Sequence, residues 1–287
     1  MTAVSADAVV LEVAPAAAYT RLLLRAPHLV ATARPGQFVA AAVGEAPTAM
    51  LLRRAFSIHD VDPAAGTLQL VVAADGPGST WVTRRRPVDT LAVVGPLGRP
   101  FPWPTEQGGR CVLIGGGYGA APMTWWAREL VAAGHDVHVV LGAATRERLF
   151  GADLAAAAGA AVHVTTDDGS AGTRGRVTDV LADLLPAVGV YACGPMAMLR
   201  AVTGAAAPAG PVWVAVEESM ACGIGVCMTC VLPVTGADGL TRMTRSCTDG
   251  PTFDGSTIRW DAVDLDRHGA RSRVPEDCVG APRPGGH

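Results

Sequence analysis

Over residues 1–102 short apolar stretches are separated by Gly and Pro turns. VVLEVA, TRLLLRA, QFVAAAV, FSIHDV, TLQLVVAA and LAVVGP each read as a strand, spaced as in a small antiparallel barrel. The polar, Pro/Gly-rich stretch FPWPTEQGG then marks a domain boundary. From Cys111 the pattern changes. CVLIG, DVHVVLG, AVHVTT, VGVYACG and VWVAVE predict strands, and APMTWWARELVAAG, TRERLFGADLAAAAG, RVTDVLADLLPA and PMAMLRAVTGAA predict helices between them. Five strands with four intervening helices predict an open, mostly parallel sheet with helices on both faces. After Val216 the periodicity gives way to a Cys-rich segment, and beyond about Trp260 an Arg/Pro/Gly-rich tail is expected to be irregular. The expected organisation is a barrel at 1–102, an α/β domain at 108–216, a small Cys-rich domain at 217–258 and a tail at 259–287.

Composition narrows the chemistry. A length of 287 residues suits about two domains, and 49% apolar with 17% charged residues is enough for a buried core. The net charge is −3, with acidic and basic residues interspersed, so no basic footprint points to nucleic acid. All 23 basic residues are Arg, and the chain has no Lys and no Asn. A Walker-type phosphate loop, a Schiff-base lysine and an N-glycosylation acceptor are therefore excluded. The N-terminal stretch MTAVSADAVVLEVAP lacks the basic and apolar regions of a signal peptide, and no apolar run is long enough for a membrane span. A soluble, cytoplasmic protein is expected.

The strongest chemical signal is MACGIGVCMTC followed by RSCTDGP. Cys222, Cys227 and Cys230 are spaced C-x4-C-x2-C, and sixteen residues separate Cys230 from Cys247. This is the plant-type 2Fe–2S spacing. Four thiolates must converge on two irons, and Gly223 and Gly225 let the loop wrap closely with its N–H groups toward the sulfurs. A four-cysteine zinc site is the alternative, although only one short C-x2-C hook is present. Cys111, Cys193 and Cys278 lie outside the pattern, and the first two read as small core residues on strands.

Two strand–helix junctions in the α/β region could take a nucleotide. IGGGYGAAP (Gly115, Gly116, Gly117 and Gly119) lets backbone approach a pyrophosphate at a helix N-terminus. It does not fit G-x-G-x-x-G, and the second strand has no acidic residue at its end. CGPMAML (Cys193, Gly194, Pro195, Met196) again follows a strand and opens a helix, at the sheet edge where ligands bind. In the barrel, LLRRAFSIHD presents an Arg followed at +3 by Ser, and AADGPGSTWV offers Gly78 and Ser79 as diphosphate-capping amides. Taken singly, Arg53–Arg54 would be a solvated pair, Phe56 a core residue and CGPM a plain corner. Their order along one chain changes that reading. The histidines at 59, 135, 138 and 163 read as structural.

Arg54-Ala55-Phe56-Ser57, the later Gly-Pro-Gly-Ser, GPLG at 95–98, GGGYGAAP and CGPM together resemble the ferredoxin-reductase superfamily. The Cys pattern with CTDGP is similar to the electron-transfer subunits of class 1B dihydroorotate dehydrogenases, a resemblance covering about residues 5–258 and including TTDDGSAGTRGRVTDVL. It implies an FAD-binding barrel, an NAD-binding α/β domain and a 2Fe–2S domain. It also implies a partner subunit carrying FMN and the dihydroorotate site, in a heterotetramer of two of each. Carried over by position, Arg54, Ala55, Phe56 and Ser57 would hold FAD, with Ser57 near the reactive flavin nitrogen. Val71, Val72, Ala73, Gly78 and Ser79 would contact its diphosphate and ribityl chain, and the glycine turn and CGPM would receive NAD. The family usually has Pro at 55, Thr at 79, a Tyr-Arg pair near Val72-Ala73, a small aliphatic residue at Tyr118 and Gly at Thr229.

No catalytic acid–base residue is expected in this chain. Electrons from the partner's flavin would cross the cluster to FAD and leave to NAD as a hydride. The alternatives are a stand-alone NAD(P)H reductase serving a ferredoxin, hydrogenase or oxygenase, and a redox-sensing or assembly module that holds a cluster without turnover.

Overall fold

The computed structural model describes residues 3–44, 50–265, 272–275 and 277–279. Six strands close a barrel: β1 (Val4–Ala16), β2 (Tyr19–Arg25), β3 (Phe38–Ala41), β4 (Arg54–Asp62), β5 (Thr67–Val72) and β6 (Thr90–Leu97), in spatial order β1-β2-β5-β4-β3-β6. Every neighbouring pair is antiparallel. Alternation decides which side chains turn inward: Leu22 and Leu24 of β2, Leu68 and Leu70 of β5 and Ile58 of β4 are wholly buried. Two short helices, α1 (Pro27–Val30) and α2 (Pro77–Thr83), lie between strands, and each has Pro in its first turn.

The second unit contains β7 (Arg110–Gly116), α3 (Ala120–Ala132), β8 (Asp136–Ala143), α4 (Ala152–Ala157), β9 (Ala161–Thr166), β10 (Thr173–Arg174), α5 (Val177–Leu181), β11 (Gly189–Cys193), α6 (Met196–Ala206) and β12 (Val212–Ala215). Its sheet runs β10-β9-β8-β7-β11-β12, all parallel, and ends with an antiparallel edge strand, β15 (Thr252–Asp254). The chain winds one way from β7 through β8 to β9, then returns to the other side of β7 for β11 and β12. The carboxyl ends of β7 and β11 therefore form the switch point where such sheets open a crevice. Helix α3 joins the two units: Trp125 packs into the barrel core, while its neighbour Trp126 packs with Leu113, Met123 and Tyr191 in the sheet core.

Between β12 and β15 lie the cysteine loop and a hairpin, β13 (Val231–Thr235) with β14 (Thr241–Arg245). Cys230 and Cys247 pack against Phe38, Ala40 and Leu97, so this segment rests on the barrel wall.

Several elements differ from expectation. The helix expected across 145–159 is a 3-10 turn at Arg146–Arg148 followed by α4, because Gly151 takes a left-handed φ of 89° between them. The helix expected across 176–187 is α5 followed by a 3-10 turn at Ala182–Leu184, ending before Pro186. Strands β10 and β15 were not expected, and β15 lies within the Cys-rich segment yet completes the α/β sheet. The described part of the tail is not wholly irregular. Trp260–Ala262 forms a 3-10 turn, Cys278 is buried and bridges to Thr241, and Arg259 joins Asp261 and Asp277 at 2.9 and 2.7 Å. Among the described residues no helix is long and apolar enough to cross a membrane.

Candidate functional site

A cleft of about 540 Å³ opens where the barrel, the parallel sheet and the cysteine loop meet. From the barrel it is lined by Arg54, Ala55, Phe56 and Ser57 of β4, by Val71, Val72 and Ala73 at the end of β5, and by Gly78 and Ser79 of α2. Gly119 and Cys193 line it from the sheet, and Thr229 from the cysteine loop. These twelve residues, all named in the sequence analysis, thus share one surface, drawn from six separate segments.

The barrel wall is suited to an anion. Arg54 Nη1 donates to the carbonyls of Leu52 and Arg53 at 2.6 and 3.3 Å, and no carboxylate pairs with Arg54 among the described residues. Helix α2 starts beside it. Its first-turn amides have no intrahelical acceptor, and the Ser79 hydroxyl is held by Gly76, donating to its carbonyl at 3.1 Å. A guanidinium without a carboxylate partner among the described residues, next to the start of a helix, could hold a diphosphate.

The two sheet junctions lie against each other. A Cβ on Gly119 would collide with the Cys193 carbonyl, and one on Gly194 would meet the Gly116 Cα at 3.0 Å. Gly117 turns at a φ of 56°, which reverses the chain between β7 and α3. Gly116, Gly194 and Pro195 take part in this close approach without lining the cleft, and Gly115, Gly117 and Met196 do not line it either. Of the two junctions, Gly119 and Cys193 reach the open space.

The cleft also contains residues that the sequence pattern did not single out: Asp75, Gly76 and the run Glu217–Ala221 that leads from β12 into the cysteine loop. Tyr118 joins them. Its phenol donates to the Glu217 carboxylate, and burial together with that charge pushes its ionisation well above the usual range. Its ring meets Tyr19 edge-on at 6.1 Å. Burial pushes the Glu218 carboxyl up to about 8, against hydrogen bonds from Ser272 and the Ser219 amide. His59 is buried behind the cleft, with Nδ1 donating to the Ala121 carbonyl at 2.7 Å, and so ties β4 to α3. His138 and His163 stack at 5.4 Å away from the cleft.

The cysteines fall into two pairs, Cys222 with Cys227 and Cys230 with Cys247. Gly223 and Gly225, at φ of 73° and 81°, wrap the loop around the first pair. Burial alone would raise the Cys222 thiol, but amides of Cys227, Ile224 and Val226 donate to it and bring it down to about 6. Burial, then the adjacent Cys230, push Cys247 up to about 12 against a donation from the Gly225 amide. Among the described residues no three His, Cys, Asp or Glu side chains converge as a single-ion site requires. Paired sulfurs, with amides already directed at them, suit a centre of two metal atoms better than one tetrahedral zinc.

The comparisons agree with this layout. Residues 217–259 match the iron-sulfur cluster binding domain of dihydroorotate dehydrogenase B, and residues 113–204 match the oxidoreductase NAD-binding domain. The chain is 41% identical over 222 residues to the dihydroorotate dehydrogenase B (NAD(+)) electron transfer subunit of Bacillus caldolyticus, spanning 77% of this chain and 84% of that one. The same figures hold for the subunit of Geobacillus kaustophilus. Among solved structures, an NADH-dependent reduced ferredoxin-NADP oxidoreductase studied for flavin-based electron bifurcation aligns with a TM-score of 0.78 at 30% identity, covering 89% of this chain and 91% of its own. The chain is therefore a member of the dihydroorotate dehydrogenase B (NAD(+)) electron transfer subunit family.

Proposed function

We propose that this chain is the NAD-linked arm of a two-component dihydroorotate dehydrogenase, accepting electrons from an FMN-containing catalytic subunit in a complex of two copies of each, in the cytoplasm. As a member of its family it is an electron-transfer oxidoreductase subunit with iron–sulfur and NAD-binding domains. The observation that carries the reading is the shared cleft: Arg54 and Ser57, Gly119 and Cys193, and Thr229 of the cysteine loop all border one space.

In this reading Arg54 and the first turn of α2 hold the diphosphate of FAD, Val71–Ala73 shape the wall beside it, and Ser57 presents its hydroxyl to the flavin ring. The glycine turn and Cys193–Met196 receive NAD at the switch point, and Cys222, Cys227, Cys230 and Cys247 hold a 2Fe–2S cluster. When bound, these groups would convert a two-electron hydride exchange into single-electron steps, chemistry the side chains cannot supply. The protein's part is to fix the groups around one cleft and to keep the inner cysteine pair dry against Phe38, Ala40 and Leu97. Cys227 is exposed, and exposed Ile224, Val226 and Met228 surround it, a surface suited to the catalytic subunit.

The structural likeness to a ferredoxin-NADP oxidoreductase favours a second reading, a reductase serving a ferredoxin. Co-purification decides between them. A dihydroorotate-oxidising FMN protein bound to this chain supports the first reading, and efficient ferredoxin reduction without such a partner supports the second.

A further inference from the structure

Three hydroxyl side chains surround the cysteine pairs. Ser246 and Thr248 flank Cys247 at the turn after β14. Ser246 is wholly buried, and its amide donates to the Cys230 carbonyl at 2.9 Å, which sets it beside both cysteines of the inner pair. Thr248 packs on the cysteine loop itself: a Cβ on Gly225 would stand 2.9 Å from its Cγ2 and 3.3 Å from its Oγ1. On the outer pair, Thr229 donates its hydroxyl to the Cys227 sulfur.

Ser246 Oγ and Thr248 Oγ1 are both closed to solvent, and neither has a hydrogen-bond partner among the described residues. A buried hydroxyl without an acceptor is costly, and native structures rarely keep one without a reason. Two of them, on either side of one cysteine, call for acceptors that the polypeptide does not supply. A bound cluster brings such acceptors, in its thiolate and inorganic sulfur atoms.

We infer that Ser246 and Thr248, with Thr229, donate hydrogen bonds to the sulfur atoms of the cluster and hold its reduction potential up. The inference rests on the cluster assignment made above. The physical reason is charge: the reduced cluster carries one more electron, so donors directed at its sulfurs favour the reduced form over the oxidised one. Each hydroxyl should favour reduction by roughly three- to tenfold, the range of a single net hydrogen bond. The role inferred for them is to set the potential.

The test uses the full chain purified anaerobically with its cluster, as wild type and as Ser246→Ala, Thr248→Val and Thr248→Ser. Iron content is measured first, then the midpoint potential by EPR-monitored potentiometry. With iron retained, Ser246→Ala and Thr248→Val should each lower the reduced-to-oxidised ratio at fixed potential by roughly three- to tenfold, where tenfold is 59 mV for a one-electron couple. Thr248→Ser, which keeps the hydroxyl, should match wild type. Full iron with unmoved potentials in both hydroxyl-free variants would overturn the inference, as would Thr248→Ser shifting as far as Thr248→Val. Should Thr248→Val lose its iron, Ser246→Ala decides, backed by pulsed EPR in deuterium oxide. An exchangeable-proton coupling present in wild type should be missing from Ser246→Ala, and an unchanged spectrum would overturn the inference. Wild type without iron would instead remove the cluster reading itself.

Discussion

Gly78 lies so close to Arg54 that a Cβ on it would stand 2.8 Å from Arg54 Nε and 3.1 Å from Arg54 Cγ. The two come from different elements, α2 and β4, and the missing side chain of one makes room for the guanidinium stem of the other. Glycine is needed here for this close approach, since its backbone is helical. Gly78→Ala should push the Arg54 stem aside while leaving the barrel folded, and Arg54→Ala should remove the charge itself. We expect Arg54→Ala to weaken FAD by about 10- to 100-fold, and Gly78→Ala to weaken it in the same direction but less. The double variant should be little worse than Arg54→Ala, because both changes act on one contact. Flavin fluorescence titration measures all three. Full flavin retention by Arg54→Ala through dilution and gel filtration would remove this placement of the diphosphate.

The cysteines should separate from the flavin. Cys227→Ser and Cys230→Ser are expected to lose the iron, about two atoms per chain in the wild type, while keeping FAD bound in the barrel. Iron and zinc analysis beside the flavin absorbance checks this. Stoichiometric zinc in the wild type, or unchanged iron in both variants, would contradict the two-iron assignment.

Much of this architecture was readable before the structure because its signals are local. The barrel strands announce themselves as short apolar runs cut by Gly and Pro turns, and the structure adds which side chains turn inward, as in Leu22, Leu23 and Leu24, where the outer two are buried and the middle one is not. The cysteine spacing is legible because ligands on a tight loop must sit at fixed intervals. What escaped depends on distant segments. Strand β15 has three residues and no pattern of its own, and it becomes a strand only because β12 offers it an open edge. Glu217 and Glu218 look like ordinary surface acids until the barrel and the cysteine loop close over them; Glu218 is then 8% exposed. The broken helix at 145–159 follows from Gly151, whose left-handed turn outweighs the helix propensity of the alanines after it. Ser246 and Thr248 carried no signal at all, since their meaning lies in having no partner once buried.

Glu218 makes stability depend on pH. Its carboxyl is held at about 8 in the fold, chiefly by burial, against 4.5 when exposed, so the folded state binds the extra proton between those values. The resulting stabilisation is full below about 4.5 and is lost as pH rises through about 8. Glu218→Gln, which imitates the protonated form, should remove this dependence. Between pH 5 and pH 8.5, values chosen to span about that window, the wild-type Tm should fall a few degrees further than that of the variant. Parallel melting curves across the same range would show that Glu218 is charged in the fold.

The central claim is a division of labour between this chain and a separate dihydroorotate-oxidising subunit, and reconstitution tests it most directly. NADH formation from dihydroorotate and NAD is followed with this chain alone, with the FMN subunit alone, and with both. Alone, this chain should oxidise NADH with ferricyanide and leave dihydroorotate untouched. Together the two subunits should couple dihydroorotate oxidation to NAD reduction, and Cys230→Ser should abolish that coupling while sparing at least part of the ferricyanide activity. Dihydroorotate turnover by the isolated chain, or uncoupled subunits that never bind each other while a ferredoxin is reduced efficiently, would contradict the account.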